Sequence, residues 1–331
     1  MHRSTRQKEL SDLLKAKALS LGFEACGISK AGSLPEEQSR LENWLDRGYQ
    51  ASMSWMNNHL EKRVDPRELV EGAKSVVSVI QSYYHPLDHP EVHREDHQED
   101  PSIGRISRYA LGDDYHLVMK EKLFALLNWL MEEVPGCSGR AFVDSAPVMD
   151  KAWAAKAGLG WIGKHSNLIS PEHGSWFFIG ELIVDVELAA DGPILDHCGT
   201  CTRCIDACPT GAIVQPYVVD ANLCISYNTI EHRGNDVPEV VHEGHGNWIF
   251  GCDVCQEVCP WNKFRTESSE PRYAPQTARI NVPLEDWASL TQEEFSATFR
   301  KSAVKRTKWD GFIRNVKYAQ LNEQKQHPPE K

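Results

Sequence analysis

No stretch of the chain approaches the roughly 20 consecutive apolar residues that a bilayer span requires. The first 21 residues are too polar for the core of a signal peptide, and no arginine pair precedes Glu9. A cytoplasmic protein with no membrane partner is the expectation. No Gly-x-Gly-x-x-Gly follows a strand-like segment, so the usual fingerprint of a flavin or nicotinamide site is missing. Positive charge is not in excess either. The net charge is −11, which argues against nucleic acid as a partner of the surface as a whole. No internal repeat stands out beyond the cysteine region. What remains is ordinary globular composition, 41% hydrophobic and 25% charged, in a chain of 331 residues, enough for about two domains.

Local patterns suggest how that chain is divided. Leu10, Leu13, Leu14, Ala18 and Leu21 recur at helical spacing, and Tyr115 to Met131 carries Val118, Leu123, Leu126, Leu127 and Leu130 on one face. Phe23 to Ile28, Ser75 to Tyr84 and Phe177 to Leu188 read as strands, with a short one at Phe142 and Val143 ending at Asp144. Pro147 is expected to open a helix that runs to Gly158. Helices and strands alternate, so an α/β or α+β core over residues 1–190 is predicted. Residues 191–265 form a cysteine-rich unit, and residues 266–331 turn helical, with a capping-box signal at Thr291 to Glu294. His85, His89, His93 and His97 fall in an acidic, proline-containing stretch that reads as a solvated loop.

Ten cysteines are present, and eight of them are spaced for chemistry. Cys198, Cys201, Cys204 and Cys208 make C-x2-C-x2-C-x3-C followed by Pro209. Cys252, Cys255 and Cys259 precede Pro260, with Cys224 upstream. Two-residue gaps let one loop wrap three thiolates around a cubane, and the x3-C-P step carries the fourth sulfur away. This is the spacing of bacterial ferredoxin-like domains that hold two [4Fe–4S] clusters, in which the fourth cysteine crosses to the other cluster. The crossover rule places Cys198, Cys201, Cys204 and Cys259 on one cluster, and Cys208, Cys224, Cys252 and Cys255 on the other. Zinc needs only paired C-x2-C units, which leaves both C-x3-C-P endings unexplained. Cys26 and Cys137 stand alone and read as buried apolar residues. Two clusters imply a one-electron relay, which needs an acceptor in the chain and an external low-potential electron donor.

Several further strings accompany the cysteines: Glu61-Lys-Arg63-Val-Asp-Pro66, Ser107-Arg-Tyr109-Ala-Leu-Gly-Asp-Asp-Tyr115-His116, Val143-Asp144-Ser-Ala-Pro147, Ala157-Gly-Leu-Gly-Trp161-Ile-Gly-Lys164-His-Ser-Asn167, and Arg314-Asn315. In this order they resemble the epoxyqueuosine reductases, from about Leu14 to Asn322. The resemblance implies a cobalamin-binding core, a two-cluster domain and a helical C-terminal part that contacts tRNA. The reaction it implies is the reduction of epoxyqueuosine to queuosine at the wobble position, the last step of queuosine biosynthesis, by a protein expected to be a monomer. Asp144 matches the family's proton donor, which suits an epoxide whose oxygen must be protonated as it leaves. Read as a local motif, the same aspartate could instead cap a helix. Matching positions for cobalamin are Arg63, Ser107, Asp144, His165, Asn167, Ser226 and Asp253, although Arg63 alone could be a surface ion pair. No Asp-x-His-x-x-Gly supplies an axial histidine: the nearest string, Asp114-Tyr-His116-Leu-Val-Met119, ends in Met.

Charge is uneven near the end of the chain. From Arg300 to Lys317 seven Lys or Arg face a single acid, Asp310. Arg300, Lys305, Arg306, Lys308 and Arg314 are therefore candidate phosphate contacts for tRNA, or else an ordinary solvated helix face. Other readings of the whole chain are a corrinoid reductive dehalogenase-like enzyme, an electron-transfer subunit, and a tRNA-binding module without chemistry.

Overall fold

Ser75–Ser82 (β2) is buried along its whole length, and a strand of β-branched residues survives such burial only if both faces of its sheet are covered. A computed structural model, which describes residues 2–87 and 100–326, supplies both covers. The sheet has four strands: β1 (Ala25–Lys30), β2, β3 (Gly139–Phe142) and β4 (Phe177–Val184), in the order β1-β2-β4-β3, and every pairing is antiparallel. The core is thus of the α+β kind.

One face is covered by helices α1 (His2–Ser20) and α2 (Tyr115–Glu133). Leu14 and Ala18 from α1, and Val118, Met119, Leu123, Leu126, Leu127 and Leu130 from α2, pack against Val77, Val79, Phe178, Leu182 and Val184. Leu13, assigned to the same stripe from its spacing, faces solvent at 55% exposure. The apolar arc of α1 is narrower than the leucine count suggests. On the opposite face lies helix α3 (Asp150–Lys156). Trp153 packs there with Val76, Phe142 and Ile183, and Ala154 packs with Ile80 and Phe177. Pro147 does not start this helix. Asp144 to Met149 forms a loop, and Met149 takes the cap position without a side-chain hydrogen bond. Cys26 and Cys137 are half-buried beside the first core.

A second core joins the cysteine region to the end of the chain. Trp248–Phe250 pairs in parallel with Arg105–Ile106. Ile249 and Phe250 pack with Trp287 of the short helix Leu284–Ala288, with Phe295 and Phe299 in and just after helix α4 (Gln292–Thr298), and with Phe312 and Val316 of helix α5 (Lys308–Gln326). The predicted capping box is formed by Thr291 and Glu294. Buried Asn315 ties α5 down by donating to the Thr229 and Ile249 carbonyls. His89, His93 and His97 lie outside the described residues.

At Gly27 of β1 the C-terminal end of α3 packs close against the sheet: a Cβ there would sit 2.2 Å from the carbonyl oxygen of Ala157, the residue after the helix. Gly27→Ala is expected to cost about 1–3 kcal/mol through forced repacking. A lowered urea midpoint with unchanged slope would report it.

Candidate active site

The eight spaced cysteines divide between two cavities. Cys198, Cys201, Cys204 and Cys259 line a small one, together with Lys164, Arg203 and Trp261. Cys208, Cys224, Cys252 and Cys255 line a chamber of about 540 Å³. This is the division that the crossover rule gives. Local bonding holds the first loop: Trp161 Nε1 donates to Cys198 Sγ at 3.5 Å, and Lys164 Nζ donates to the carbonyls of Gly199 and Cys201 at 2.7 and 2.9 Å. Burial pushes the Cys259 thiol up to about 11 and raises Cys224, Cys252 and Cys255 as well. Thiols this desolvated ionise only against a positive partner, which cluster iron provides. Among the described residues no three His, Cys, Asp or Glu side chains converge on a single ion, whereas a cubane spreads its ligands over four corners.

Opposite the second thiol set stands Asp144. Its backbone is left-handed, φ +52°, and the Ser145 amide donates to the Val143 carbonyl across it. This is a γ-turn of the rare positive-φ hand, a conformation that costs energy in any residue but glycine. The turn presents the carboxyl group to the chamber, where the side chain is 64% exposed. Tyr115 Oη donates to Asp144 Oδ2 at 2.6 Å, and His116 Nε2 lies 3.5 Å from the same oxygen. Asp114, the N-cap of α2, takes the other side of the imidazole: His116 Nδ1 is 2.8 Å from Asp114 Oδ1. Tyr115 is held flat on Phe178, with centroids 4.2 Å apart at 6°.

Electrostatics in this group run against one expectation. Hydrogen bonding to His116 holds the Asp144 carboxyl below its usual range against the desolvation of the chamber wall, and Tyr115 adds to the effect. Burial disfavours the His116 imidazolium, but Asp114 and Asp144 outweigh it and push the ring up to about 9. At neutral pH the proton therefore rests on His116 and Asp144 is ionised, the reverse of a carboxyl kept protonated by its surroundings. Asp144 caps no helix.

The remaining predicted residues fall on both sides of the chamber wall. Ser107, His165, Asn167 and Ser226 line it. His165 is buried and pushed down to about 4 by desolvation, so its ring is neutral, and its Nε2 meets no partner among the described residues. Two predicted contacts stand one layer back. Asp253 is buried and spent on Ser107 Oγ at 2.5 Å and the Arg108 amide at 2.8 Å, so it fixes Ser107 rather than facing the chamber. Arg63 donates to the Trp55 carbonyl at 3.1 Å and is electrostatically coupled to Asp150 behind the wall. Sequence reasoning missed Tyr115 and His116 as parts of the site, although their string was noticed. It missed Lys151, whose Nζ donates to Asn167 Oδ1 at 2.8 Å, and Asp150 entirely.

Of the basic stretch, Arg300, Lys305, Arg306 and Lys308 are exposed. Arg306 pairs with Glu231 at 2.8 Å and lies over the Trp55 ring. Arg314 is not part of that face: it is buried, and its guanidinium donates to the carbonyls of Asn228, His232 and Gly234 and to Asn315. A guanidinium so occupied has no donor left for phosphate.

Two separate thiol sets, one of them lining a chamber together with Asp144 and Tyr115, define an iron–sulfur oxidoreductase. Residues 197–262 match the 4Fe-4S double cluster binding domain, and residues 63–145 match the family described as epoxyqueuosine reductase QueG, DUF1730. The chain is 53% identical over 315 residues to the epoxyqueuosine reductase of Cellulophaga algicola, covering 95% of this chain and 99% of that one. An epoxyqueuosine reductase crystallised with an epoxyqueuosine-modified tRNA-Tyr stem loop superposes with TM-score 0.85 at 30% identity, over 96% of this chain and 82% of its own. The Bacillus subtilis enzyme, in a structure whose catalytic aspartate loop is swung out of the active site, gives 0.85 at 28%, over 98% and 87%. This chain belongs to the epoxyqueuosine reductase family. The dehalogenase-like and electron-carrier alternatives are accordingly not favoured.

The two cavities predict which thiols share a cluster. Cys259→Ser is expected to alter the same electron paramagnetic resonance signal as Cys198→Ser, although 61 positions separate them. Cys208→Ser should alter the other signal. A shared effect of Cys208 and Cys198 would contradict the division.

Proposed function

We propose that this protein reduces the epoxide of epoxyqueuosine in the anticodon of tRNA to the alkene of queuosine, with two [4Fe–4S] clusters as relay and cobalamin held in the chamber. The observation that carries the reading is the convergence of Cys208, Cys224, Cys252 and Cys255 with Asp144 and Tyr115 on one cavity, with His116 behind Asp144. The residues present fit a corrin. Tyr83, Tyr109, Tyr115, Phe177 and Phe178 give a broad aromatic wall, while Ser107, Ser226, Asn167 and Lys151 offer polar groups to peripheral amides, and the unpartnered Nε2 of His165 stands among them. When bound, cobalamin supplies a low-valent cobalt centre that can pass electrons to an electrophilic carbon. Both ring nitrogens of His116 face carboxylates, Nδ1 that of Asp114 and Nε2 that of Asp144.

The chain's own part is to hold and move a proton. Asp144 sits between the chamber and a charged imidazole, and Tyr115 fixes the carboxylate oxygen that His116 approaches. A proton passed from His116 Nε2 to Asp144 Oδ2 makes Asp144 the acid that meets the epoxide oxygen. The strained γ-turn keeps the carboxyl aimed inward without a helix to anchor it. Arg300, Lys305, Arg306 and Lys308 form an exposed basic face that suits tRNA phosphate, with Trp55 beside Arg306 as a surface for an unstacked base. The protein works as a monomer in the cytoplasm and draws electrons from an external low-potential donor through the outer cluster, that of Cys198, Cys201, Cys204 and Cys259.

Anaerobic incubation of the cluster-loaded protein with cobalamin, a strong reductant and epoxyqueuosine-containing tRNA tests the reading. Mass spectrometry of the digested nucleosides is expected to show loss of one oxygen, dependent on cobalamin. No loss with both clusters and cobalamin verified would overturn it. Asp144→Asn is expected to lower turnover by about 10²–10⁴-fold while leaving cluster spectra intact. Because His116 is charged below about 9, turnover by the wild type should fall as pH rises through that value. His116→Ala should be slower at neutral pH and lack that limb, and retention of the limb would remove His116 from the proton path.

A further inference from the structure

Glu181 lies at the centre of β4, between Ser78 of β2 and Phe142 of β3, on the face covered by α3. It is 0% exposed, and neither carboxyl oxygen receives an N–H or O–H from the protein among the described residues. Its neighbour on that face is Asp150, the first residue of α3. Asp150 Oδ1 also lacks a donor. Two neighbouring carboxyl groups buried with oxygens that no N–H or O–H reaches cannot both be ionised, so one of the pair carries a proton. Asp150, unlike Glu181, lines the chamber.

The pair bears on the proton stoichiometry of epoxide reduction, and its role rests on the proposed reaction being the one catalysed. Converting an epoxide to an alkene breaks both C–O bonds, forms a C=C bond, takes up two electrons and releases the oxygen as water. Two protons are required. The His116–Asp144 path holds one. We propose that Asp150 and Glu181 store a single shared proton beneath the chamber floor and release it through Asp150 as the second proton of the reduction.

The groups that face the pair agree with that role. Asp144, on the neighbouring loop, is anionic and opposes ionisation of both acids. Lys151, next to Asp150 on α3, favours it, but its ammonium is engaged by the Ser166 carbonyl and Asn167. Arg63 is electrostatically coupled to Asp150 from behind, with Nε unpartnered among the described residues. Ser78 Oγ, on the strand beside Glu181, is likewise unpartnered. Desolvation raises both carboxyl groups above their usual range. Of the two only Asp150 lines the chamber, so Asp150 is the outlet of the shared proton.

Two readouts test the proposal separately from turnover as such. Infrared difference spectra of cluster-loaded wild type against Glu181→Gln at neutral pH should show a protonated-carboxyl C=O band in the wild type alone. Absence of that band from the wild type would overturn the stored proton, whether or not the protein makes queuosine. Turnover of Asp150→Asn and Glu181→Gln, compared with wild type near pH 6 and near pH 8.5, gives the second readout. The loss should be about tenfold greater at the higher pH, where bulk protons no longer substitute, with tRNA affinity unchanged. An equal loss at both pH values in Asp150→Asn, which keeps the sheet intact, would reduce the pair to packing.

Discussion

Everything in this molecule that bears on electrons depends on two cysteines leaving their own loops. Cys208 belongs by sequence to the loop of Cys198, Cys201 and Cys204, but it lines the chamber with Cys224, Cys252 and Cys255. Cys259 makes the opposite exchange. The helical step before each proline carries the fourth sulfur across. This crossing pins two segments that are distant in sequence, and it sets one thiol group at the chamber and the other in a separate, smaller cavity. A relay needs two such sites.

The sheet provides the rest of the chamber. Antiparallel strands covered on both faces give β4 a rigid, buried course, so Phe177 and Phe178 can serve as a wall and Glu181 can sit where no water reaches it. Helix α2 begins at the chamber, and its first turn carries Tyr115 and His116 against Asp144. The C-terminal helices reach the same region from the other side. Arg314 and Asn315 spend their hydrogen bonds on carbonyls of residues 228–249, which makes α5 a brace for the segment that carries the inner thiols.

How much of this could be read from the sequence depended on the kind of signal. Cysteine spacing encodes cluster geometry almost directly, because only a few residues separate the ligands. Strands β2 and β4 and helix α2 are visible in their apolar periodicity. Charge is less informative: Arg314 and Lys305 look alike in a basic stretch, and only packing reveals that Arg314 is buried and fully bonded while Lys305 faces solvent. Leu13 misleads for the same reason, since spacing does not say how wide a buried stripe is. Pro147 suits a helix start, but the γ-turn at Asp144 displaces the helix to Asp150. The protonation state of Asp144 depends on His116, some 28 positions away in sequence, and the Asp150–Glu181 pair joins a helix start to a strand centre. Neither is a local pattern.

The central claim is that the inner cluster and cobalamin occupy the same chamber. The most direct measurement is the electron paramagnetic resonance of protein loaded with cob(II)alamin, recorded with the clusters oxidised and then reduced. The cobalt signal is expected to broaden or split on reduction, and to do so equally in Cys198→Ser, whose outer cluster is disrupted. A cobalt signal indifferent to cluster reduction in the wild type would contradict the arrangement.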